Sequence, residues 1–412
     1  MNQSFQFLLK NTTWLLIGKI VGLGLSLLIS VYLAKIFGAS GYGQFALIFS
    51  YVVVLQVVCA FGMDTILTRI VAINQKRPFQ EQISAGLLVQ LVVAVVLICS
   101  LIPLSELQFN RANEFDFKSL ILFLFILFPS AFITTFSAIL KGQERMSVFA
   151  FFDLFEIVLR AFLILTLINE SLSIKNVVLI FLTTKTLLAV LLGFYVYLVI
   201  KFRFEFVLPT RANVRKLIKS GGYIVFAVMI ITLFRKLEII IISVFGGDEE
   251  AGLFAVSNRL LDVAKMVPAA FYGALFPVMV KGGHGMVSKR LSYVSYSSML
   301  VLTLLLFFFS DILIELFELT EYSKSVQLIQ ILVFGLLPFA IRQYYSFLFI
   351  AKGLEKQVLL INLTSLILAT ILYPILYQSF GIVGICWSVN TVLAIESLIY
   401  FFYKRKYSLF FT

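Results

Sequence analysis

Apolar residues in this chain recur in runs of about 20, separated by short clusters of charged and turn-forming residues. A helix needs roughly 20 mostly apolar residues to cross the hydrocarbon core of a bilayer. The pattern therefore predicts twelve transmembrane helices. They cover residues 12–37, 43–66, 83–104, 119–140, 148–168, 177–200, 222–246, 253–280, 293–316, 326–350, 358–378 and 384–403.

The connections between these runs are short, and the longest are 105–118 and 201–221. They leave no room for a sizeable soluble domain. The first run is too long, and is followed by too many others, to be a cleaved signal peptide. The pattern thus predicts an all-α polytopic membrane protein.

The composition strengthens this prediction. Of the 412 residues 61% are hydrophobic and 13% charged, whereas soluble domains are about half apolar and about a quarter charged. A soluble enzyme, a disordered chain and a disulfide scaffold are excluded. The three cysteines, Cys59, Cys99 and Cys386, lie within predicted helices, so no external disulfide is indicated.

The net charge of +12 is distributed unevenly along the chain. With twelve helices, the loops on the side of the termini carry 20 of the 33 Lys and Arg residues, and the opposite loops carry 4. Positively charged loops stay in the cytoplasm. We therefore expect both termini to be cytoplasmic, and the charge gives no reason to expect a nucleic acid partner.

Three landmarks recur at offsets of 208 to 211 residues. Phe37-Gly38 returns as Phe245-Gly246, Pro129 as Pro338, and Lys141-Gly142 as Lys352-Gly353. This predicts two parallel repeats of six helices, an arrangement in which transporters bind substrate at the repeat interface. The predicted lobes are 1–200 and 222–403, joined by a cytoplasmic linker, 201–221, and followed by a tail, 404–412. A duplicated channel or structural protein, or turn sequences that recur by chance, would give a similar pattern.

The nine remaining cations lie inside predicted helices, where an isolated charge is costly. Some of them have a carboxylate three or four residues away and can pair along one helix face. These pairs are Glu156 with Arg160, Arg235 with Glu238, Arg259 with Asp262, and Asp262 with Lys265. A polar stripe that satisfies itself is an equally good interpretation of these residues.

Lys19, Lys185, Lys236, Arg342 and Glu396 have no oppositely charged residue at those spacings. Each needs water, a partner on another helix, or a ligand, although the side chains of Lys19 and Arg342 could also reach the interface by snorkelling. Cations without helical partners in both halves suggest a central cavity of positive potential. Such a cavity suits an anionic head group, because Arg and Lys both bind phosphate oxygens.

Several signatures are missing from the sequence. There is no cluster with metal-ligand spacing, and the single histidine, His284, lies in a glycine-rich turn. There is no Walker loop and no large external loop with paired carboxylates. We therefore expect no catalytic residue, metal or cofactor, and neither ATP-driven transport nor hydrolysis.

Three segments carry a resemblance to a known family: Tyr32 to Ala46 around the first loop, Phe61-Gly62-Met63-Asp64 through Arg69, and Lys141-Gly142-Gln143-Glu144. With the twelve helices and the repeat, they resemble the Wzx-type polysaccharide flippases of the multidrug/oligosaccharidyl-lipid/polysaccharide exporter superfamily. The resemblance covers the whole chain. It implies two six-helix lobes that form a V-shaped central cavity and work by alternating access.

The cargo that the resemblance implies is an undecaprenyl-pyrophosphate-linked oligosaccharide, such as an O-antigen repeat unit used in lipopolysaccharide biosynthesis. It would be moved across the bacterial inner membrane with a proton or Na⁺ gradient. Because two repeats already form one translocation unit, we expect one chain to be sufficient, with oligomerisation as the alternative, and a polysaccharide polymerase and a chain-length regulator as partners. Rival interpretations are a cation-coupled multidrug exporter, a membrane-embedded polymerase, and a lipid II flippase.

The candidate site residues follow from position and pairing. The cations expected to bind substrate are Lys19, Lys185, Lys236 and Arg342, followed by Arg160, Arg235, Arg259 and Lys265. The carboxylates expected to couple an ion or to neutralise the empty cavity are Glu156, Glu238, Asp262 and Glu396.

Overall fold

The computed structural model describes residues 3–73, 80–108, 117–167, 173–200, 210–280 and 286–406. Within these ranges the chain is helical and contains no strand. The predicted all-α class is therefore confirmed. His284 lies outside the described residues, as does most of the predicted loop 105–118.

The described α-helices are named in chain order. They are α1 Gln3–Ala60, α2 Met63–Ile73, α3 Gln80–Gln108, α4 Phe117–Leu124, α5 Leu127–Gly142, α6 Met146–Leu167, α7 Ile174–Leu198, α8 Arg211–Val280, α9 Met286–Leu316, α10 Ser323–Leu332, α11 Leu336–Ala351 and α12 Glu355–Lys406. Short 3₁₀ turns occupy Thr320–Tyr322 and Val333–Gly335.

Three of these helices are much longer than a bilayer is thick. At 1.5 Å per residue, α1, α8 and α12 extend over roughly 80 to 105 Å of helix, and each contains one glycine with positive φ. These glycines are Gly38 (φ 64°), Gly247 (φ 78°) and Gly381 (φ 62°). Residues with a side chain rarely adopt this conformation, so the chain changes direction there and each long helix consists of two segments.

Seven helical stretches among the described residues are long and apolar enough to cross a membrane. They include Val21–Ile73, which covers the predicted helix 43–66 and most of 12–37, and Glu355–Lys404, which contains the predicted helices 358–378 and 384–403. The protein is therefore a multi-pass membrane protein. The count of twelve transmembrane helices remains a prediction. Helix α6, for example, is not among the seven stretches, because its 22 residues include the charged side chains of Asp153, Glu156 and Arg160.

Some predicted helices are interrupted. The helix predicted for 43–66 ends at Ala60, because Phe61 and Gly62 both have positive φ before α2 begins. A Cβ atom on Gly62 would lie 2.8 Å from the Cβ of Ile224, so the break lets α8 pack closely against this corner. The helices predicted for 119–140 and 326–350 are likewise broken between α4 and α5 and between α10 and α11.

The backbone gives the internal repeat a single offset of 209 residues. Helices α5 and α11 each have 16 residues and begin at Leu127 and Leu336. The positive-φ residue after α5 is Glu144, and its counterpart after α11 is Gly353. Gly38 therefore corresponds to Gly247 rather than to Gly246, and the offsets of 208 and 211 inferred from residue types are corrected.

The described chain divides into two compact units. Unit 1 comprises Met1–Ser26 and Ile48–Thr232, and unit 2 comprises Leu27–Leu47 and Leu233–Thr412. One core cluster of unit 1 is aliphatic, with Met63, Leu67 and Ile83 fully buried. One core cluster of unit 2 is rich in aromatic residues, with Tyr272 and Tyr400 fully buried. The lobe, linker and tail boundaries expected from the sequence stay a prediction.

Candidate functional site

Unit 1 contains a buried ionic cluster between α6 and α7. Glu156, which is only 2% exposed, forms an ion pair with Arg160 one helical turn later. Its other carboxylate oxygen lies 3.1 Å from Nζ of Lys185 on α7. The predicted Glu156–Arg160 pair is confirmed, and Lys185 has its partner on a neighbouring helix.

The arginine of this cluster is also held by an aromatic ring. Its guanidinium lies 4.3 Å from the centre of the Phe181 ring on α7, within the range of a cation–π interaction. Asp153 acts electrostatically on both Arg160 and Lys185. The cluster thus joins two cations to one buried carboxylate, with a second carboxylate nearby.

Unit 2 contains a different buried pair, between α11 and α12. Arg342 donates from Nε to Oε1 of Glu396 at 2.6 Å and from Nη2 to Oδ1 of Asn362 at 3.0 Å. Glu396 is fully buried and Arg342 is 8% exposed. Arg342 and Glu396 have no oppositely charged residue nearby on their own helices, and they pair with each other. Because Glu396 supplies the counter-charge, the side chain of Arg342 does not have to extend to the membrane surface.

A second polar group of unit 2 lies along α8. Lys265 donates to Oδ1 of Asn258 at 2.8 Å and lies 3.5 Å from Oδ1 of Asp262, which confirms the Asp262–Lys265 pair. Glu238 interacts electrostatically with four charged residues around it, and Arg259 with Lys236. We call this set the α8 group: Arg235, Lys236, Glu238, Arg259, Asp262 and Lys265. Its four cations exceed its two carboxylates, so it carries a net positive charge.

Lys19 is the one candidate site residue whose side chain the structure does not describe. This residue belongs to helix α1. Among the described residues, no group of three His, Cys, Asp or Glu side chains could hold a metal ion.

Sequence reasoning missed a contact network around the glycine break of α1, within unit 2. Lys35 forms an ion pair with Glu318, and Tyr322 donates to the carbonyl oxygen of Ala34 at 3.1 Å. Glu321 accepts from the backbone N–H of Ala39 at 3.2 Å. Hydrogen bonding to the ammonium of Lys35 lowers the pKa of Glu318. The only sequence signal was a pair of acidic residues in a short connection.

The two repeats meet in this region through glycines. A Cβ atom on Gly43 would lie 1.8 Å from the carbonyl oxygen of Asp248, and one on Gly252 would lie 1.9 Å from that of Ala39. Both pairs are related by the offset of 209 residues, so the contact is reciprocal. No side chain fits at either position without separating the two helices.

Comparison with known proteins bears on both fold and family. The family model described as "Polysaccharide biosynthesis protein" matches residues 8–282. No curated protein matches the chain.

Solved structures share the fold over nearly the whole chain. One is an inward-facing multidrug resistance MATE family transporter of the MOP superfamily, with a TM-score of 0.76 and 14% identity, covering 96% of this chain and 95% of that one. Another is a MOP superfamily transporter from Pyrococcus furiosus, with a TM-score of 0.71 and 12% identity over 98% of both chains. An outward-facing MATE family transporter matches with a TM-score of 0.70 and 13% identity, over 100% of this chain and 99% of that one. The predicted exporter-superfamily fold is confirmed.

Proposed function

We propose, from the premise that this chain belongs to the polysaccharide biosynthesis protein family, that it is a flippase for a polyprenyl-pyrophosphate-linked oligosaccharide. The family, and the fold that the chain shares with MOP superfamily transporters, support a role as a multi-pass membrane transporter. We propose further that the cargo is an undecaprenyl-linked O-antigen or related repeat unit. The membrane would be the bacterial inner membrane, with both termini in the cytoplasm as the loop charges indicate.

The observation that carries this proposal is the charge balance of the α8 group. A pyrophosphate carries negative charge that Arg and Lys neutralise, Arg by paired hydrogen bonds and Lys as a point charge. A site for a cationic drug would need the opposite excess. The polyprenyl chain can remain in lipid while Lys236, Arg259 and Arg235 accompany the pyrophosphate and sugars through a polar passage.

The ion-coupling role fits Glu238 and Asp262 best among the four candidate carboxylates. Glu156 and Glu396 already neutralise buried cations within their units. In contrast, Glu238 lies among several cations that an anionic substrate would compete for. We propose that protons or Na⁺ bind at this group when the substrate has left, and that substrate and ion alternate there.

The test is complementation of a strain that lacks its own polysaccharide flippase, scored by surface polysaccharide and by the amount of protein in the membrane. We expect Lys236→Ala to reduce surface polysaccharide at least about tenfold, the effect of losing one charge-assisted contact. Lys236→Arg should retain most activity. Lys356→Ala, at an exposed position outside the α8 group, is the matched control.

The same strains distinguish the rival functions. Normal surface polysaccharide with both Lys236→Ala and Arg259→Ala would contradict the proposed substrate site. Export of a cationic dye that depends on Glu238 and not on Lys236 would identify a multidrug exporter, the function suggested by the fold of the MATE transporters. Shortened polysaccharide chains with normal transfer of repeat units would indicate a polymerase.

A further inference from the structure

We infer that a cavity of unit 1, separate from the ionic clusters, binds the head group of an anionic glycerol phospholipid of the phosphatidylglycerol class. The cavity has a volume of about 470 Å³ and lies where α2, α3 and the start of α8 meet. The lining residues that matter are Arg69, Ile70, Ile73, Gln82, Ser220 and Ile224.

The positive charge of the cavity comes from Arg69 on α2. Its side chain is exposed, and among the described residues its guanidinium forms no ion pair with a carboxylate. An exposed guanidinium is well suited to a phosphodiester, which accepts two parallel hydrogen bonds. The hydroxyl of Ser220, on the same cavity wall, supplies a further donor.

Gln82 indicates that the head group must also donate a hydrogen bond. Its Oε1 atom is buried and has no hydrogen-bond partner among the described residues. A buried acceptor without a donor is costly. A phosphodiester group has only acceptors to offer, whereas the glycerol of phosphatidylglycerol carries hydroxyl donors beside its phosphodiester.

The rest of the cavity suits the hydrocarbon part of a lipid. Ile70, Ile73 and Ile224 line it, and Ile73 is 70% exposed in the protein alone. Exposed basic residues follow along the first turns of α8, namely Arg211, Arg215 and Lys219. Such juxtamembrane cations attract anionic lipids to a membrane surface, and the cavity then selects one head group.

The test measures lipid binding to the purified full-length protein in a neutral detergent, by native mass spectrometry with phosphatidylglycerol added. We expect Arg69→Gln to weaken binding about tenfold. The matched control is Arg215→Gln, which removes an exposed cation of the same region that does not line the cavity, and we expect it to weaken binding less than twofold. Ser220→Phe fills the cavity without changing its charge and should weaken binding as strongly as Arg69→Gln.

Two further probes define the chemistry. Phosphatidylcholine should bind at least tenfold more weakly than phosphatidylglycerol. Phosphatidic acid, which lacks the second glycerol, should also bind more weakly, and Gln82→Leu should abolish that difference.

The inference is overturned if Arg69→Gln and Arg215→Gln weaken binding equally, which would indicate diffuse attraction, or if Ser220→Phe has no effect. Displacement of phosphatidylglycerol by equimolar undecaprenyl phosphate would overturn it too, since the cavity would then belong to the transported lipid. Because the readout is binding, it is independent of transport.

Discussion

In unit 1 the carboxylate of Glu156 faces two cations, Arg160 and Lys185, whereas in unit 2 the carboxylate of Glu396 faces Arg342, and Asn362 completes the coordination. Both carboxylates are almost inaccessible to solvent. The unit 1 cluster can therefore lose one cation and keep a neutral pair. The unit 2 pair can lose neither member without leaving a bare buried charge.

The internal repeat shows which positions differ between the two halves. At the offset of 209 residues, Arg342 corresponds to Ile133 and Glu156 corresponds to Ser365. The ends of α5 and α11 match between the repeats, as do the positive-φ positions Gly38 and Gly247 and Glu144 and Gly353, but these buried charged residues do not. The repeat thus accounts for the scaffold, and the chemistry of each half lies where the two copies depart from each other.

The largest effect should come from Glu396→Ala. It leaves the guanidinium of Arg342 buried without its counter-charge, which costs about 3–5 kcal/mol of stability. Thermal unfolding of the purified protein in detergent measures this loss. The double variant Arg342→Met, Glu396→Leu should recover most of it, because a buried ion pair contributes little more than apolar packing. Wild-type stability in the single variant would contradict a buried pair.

A sharper test of the comparison lies in unit 1. Glu156→Gln leaves Arg160 and Lys185 close together without the shared carboxylate, and we expect a loss of roughly 2–4 kcal/mol. Lys185→Met preserves the Glu156–Arg160 pair and should cost less than about 1 kcal/mol. The same unfolding measurement applies to both. If the lysine variant proved the less stable, Glu156 would not be the centre of the cluster.

The contact between the repeats should respond to a single methyl group. Gly43→Ala and Gly252→Ala each place a Cβ atom against a backbone carbonyl that cannot rotate away, and we expect a loss of about 1–3 kcal/mol for either one. Gly24→Ala is the control, since a Cβ atom there meets nothing within 4 Å and alanine favours a helix. Its stability should be unchanged or slightly raised, and similar losses in all three variants would contradict the close contact.

The smallest effect concerns acid pH. Because Lys35 lowers the pKa of Glu318 in the folded protein, this contact contributes stability above the ordinary pKa of a glutamate and loses it as the pH falls through the lowered value. Wild-type protein should lose slightly more stability than Glu318→Gln between about pH 5 and pH 3. Parallel pH profiles of the two proteins, followed by thermal unfolding, would show that the contact is absent in solution.

The sequence predicted the helical class, the position of most apolar helices and the duplication, because each depends on patterns within about 20 residues or on direct comparison of two segments. It also predicted Glu156 with Arg160 and Asp262 with Lys265, which are neighbours on one helix. It could not predict Glu396 as the partner of Arg342, 54 residues away, because that pairing exists only after α11 and α12 pack. The breaks at Phe61 and Phe125 lie inside apolar runs and leave no mark in hydropathy.

The reciprocal contact of Gly43 and Gly252 has a further consequence. Each glycine presents its backbone to the carbonyl oxygen that lies four residues before the other, so one surface patch meets its own copy. That is the geometry of a two-fold symmetric dimer interface. A chain of half this length would carry the complete patch. Joining the two copies into one polypeptide therefore leaves this contact unchanged, and frees each half to acquire its own charges.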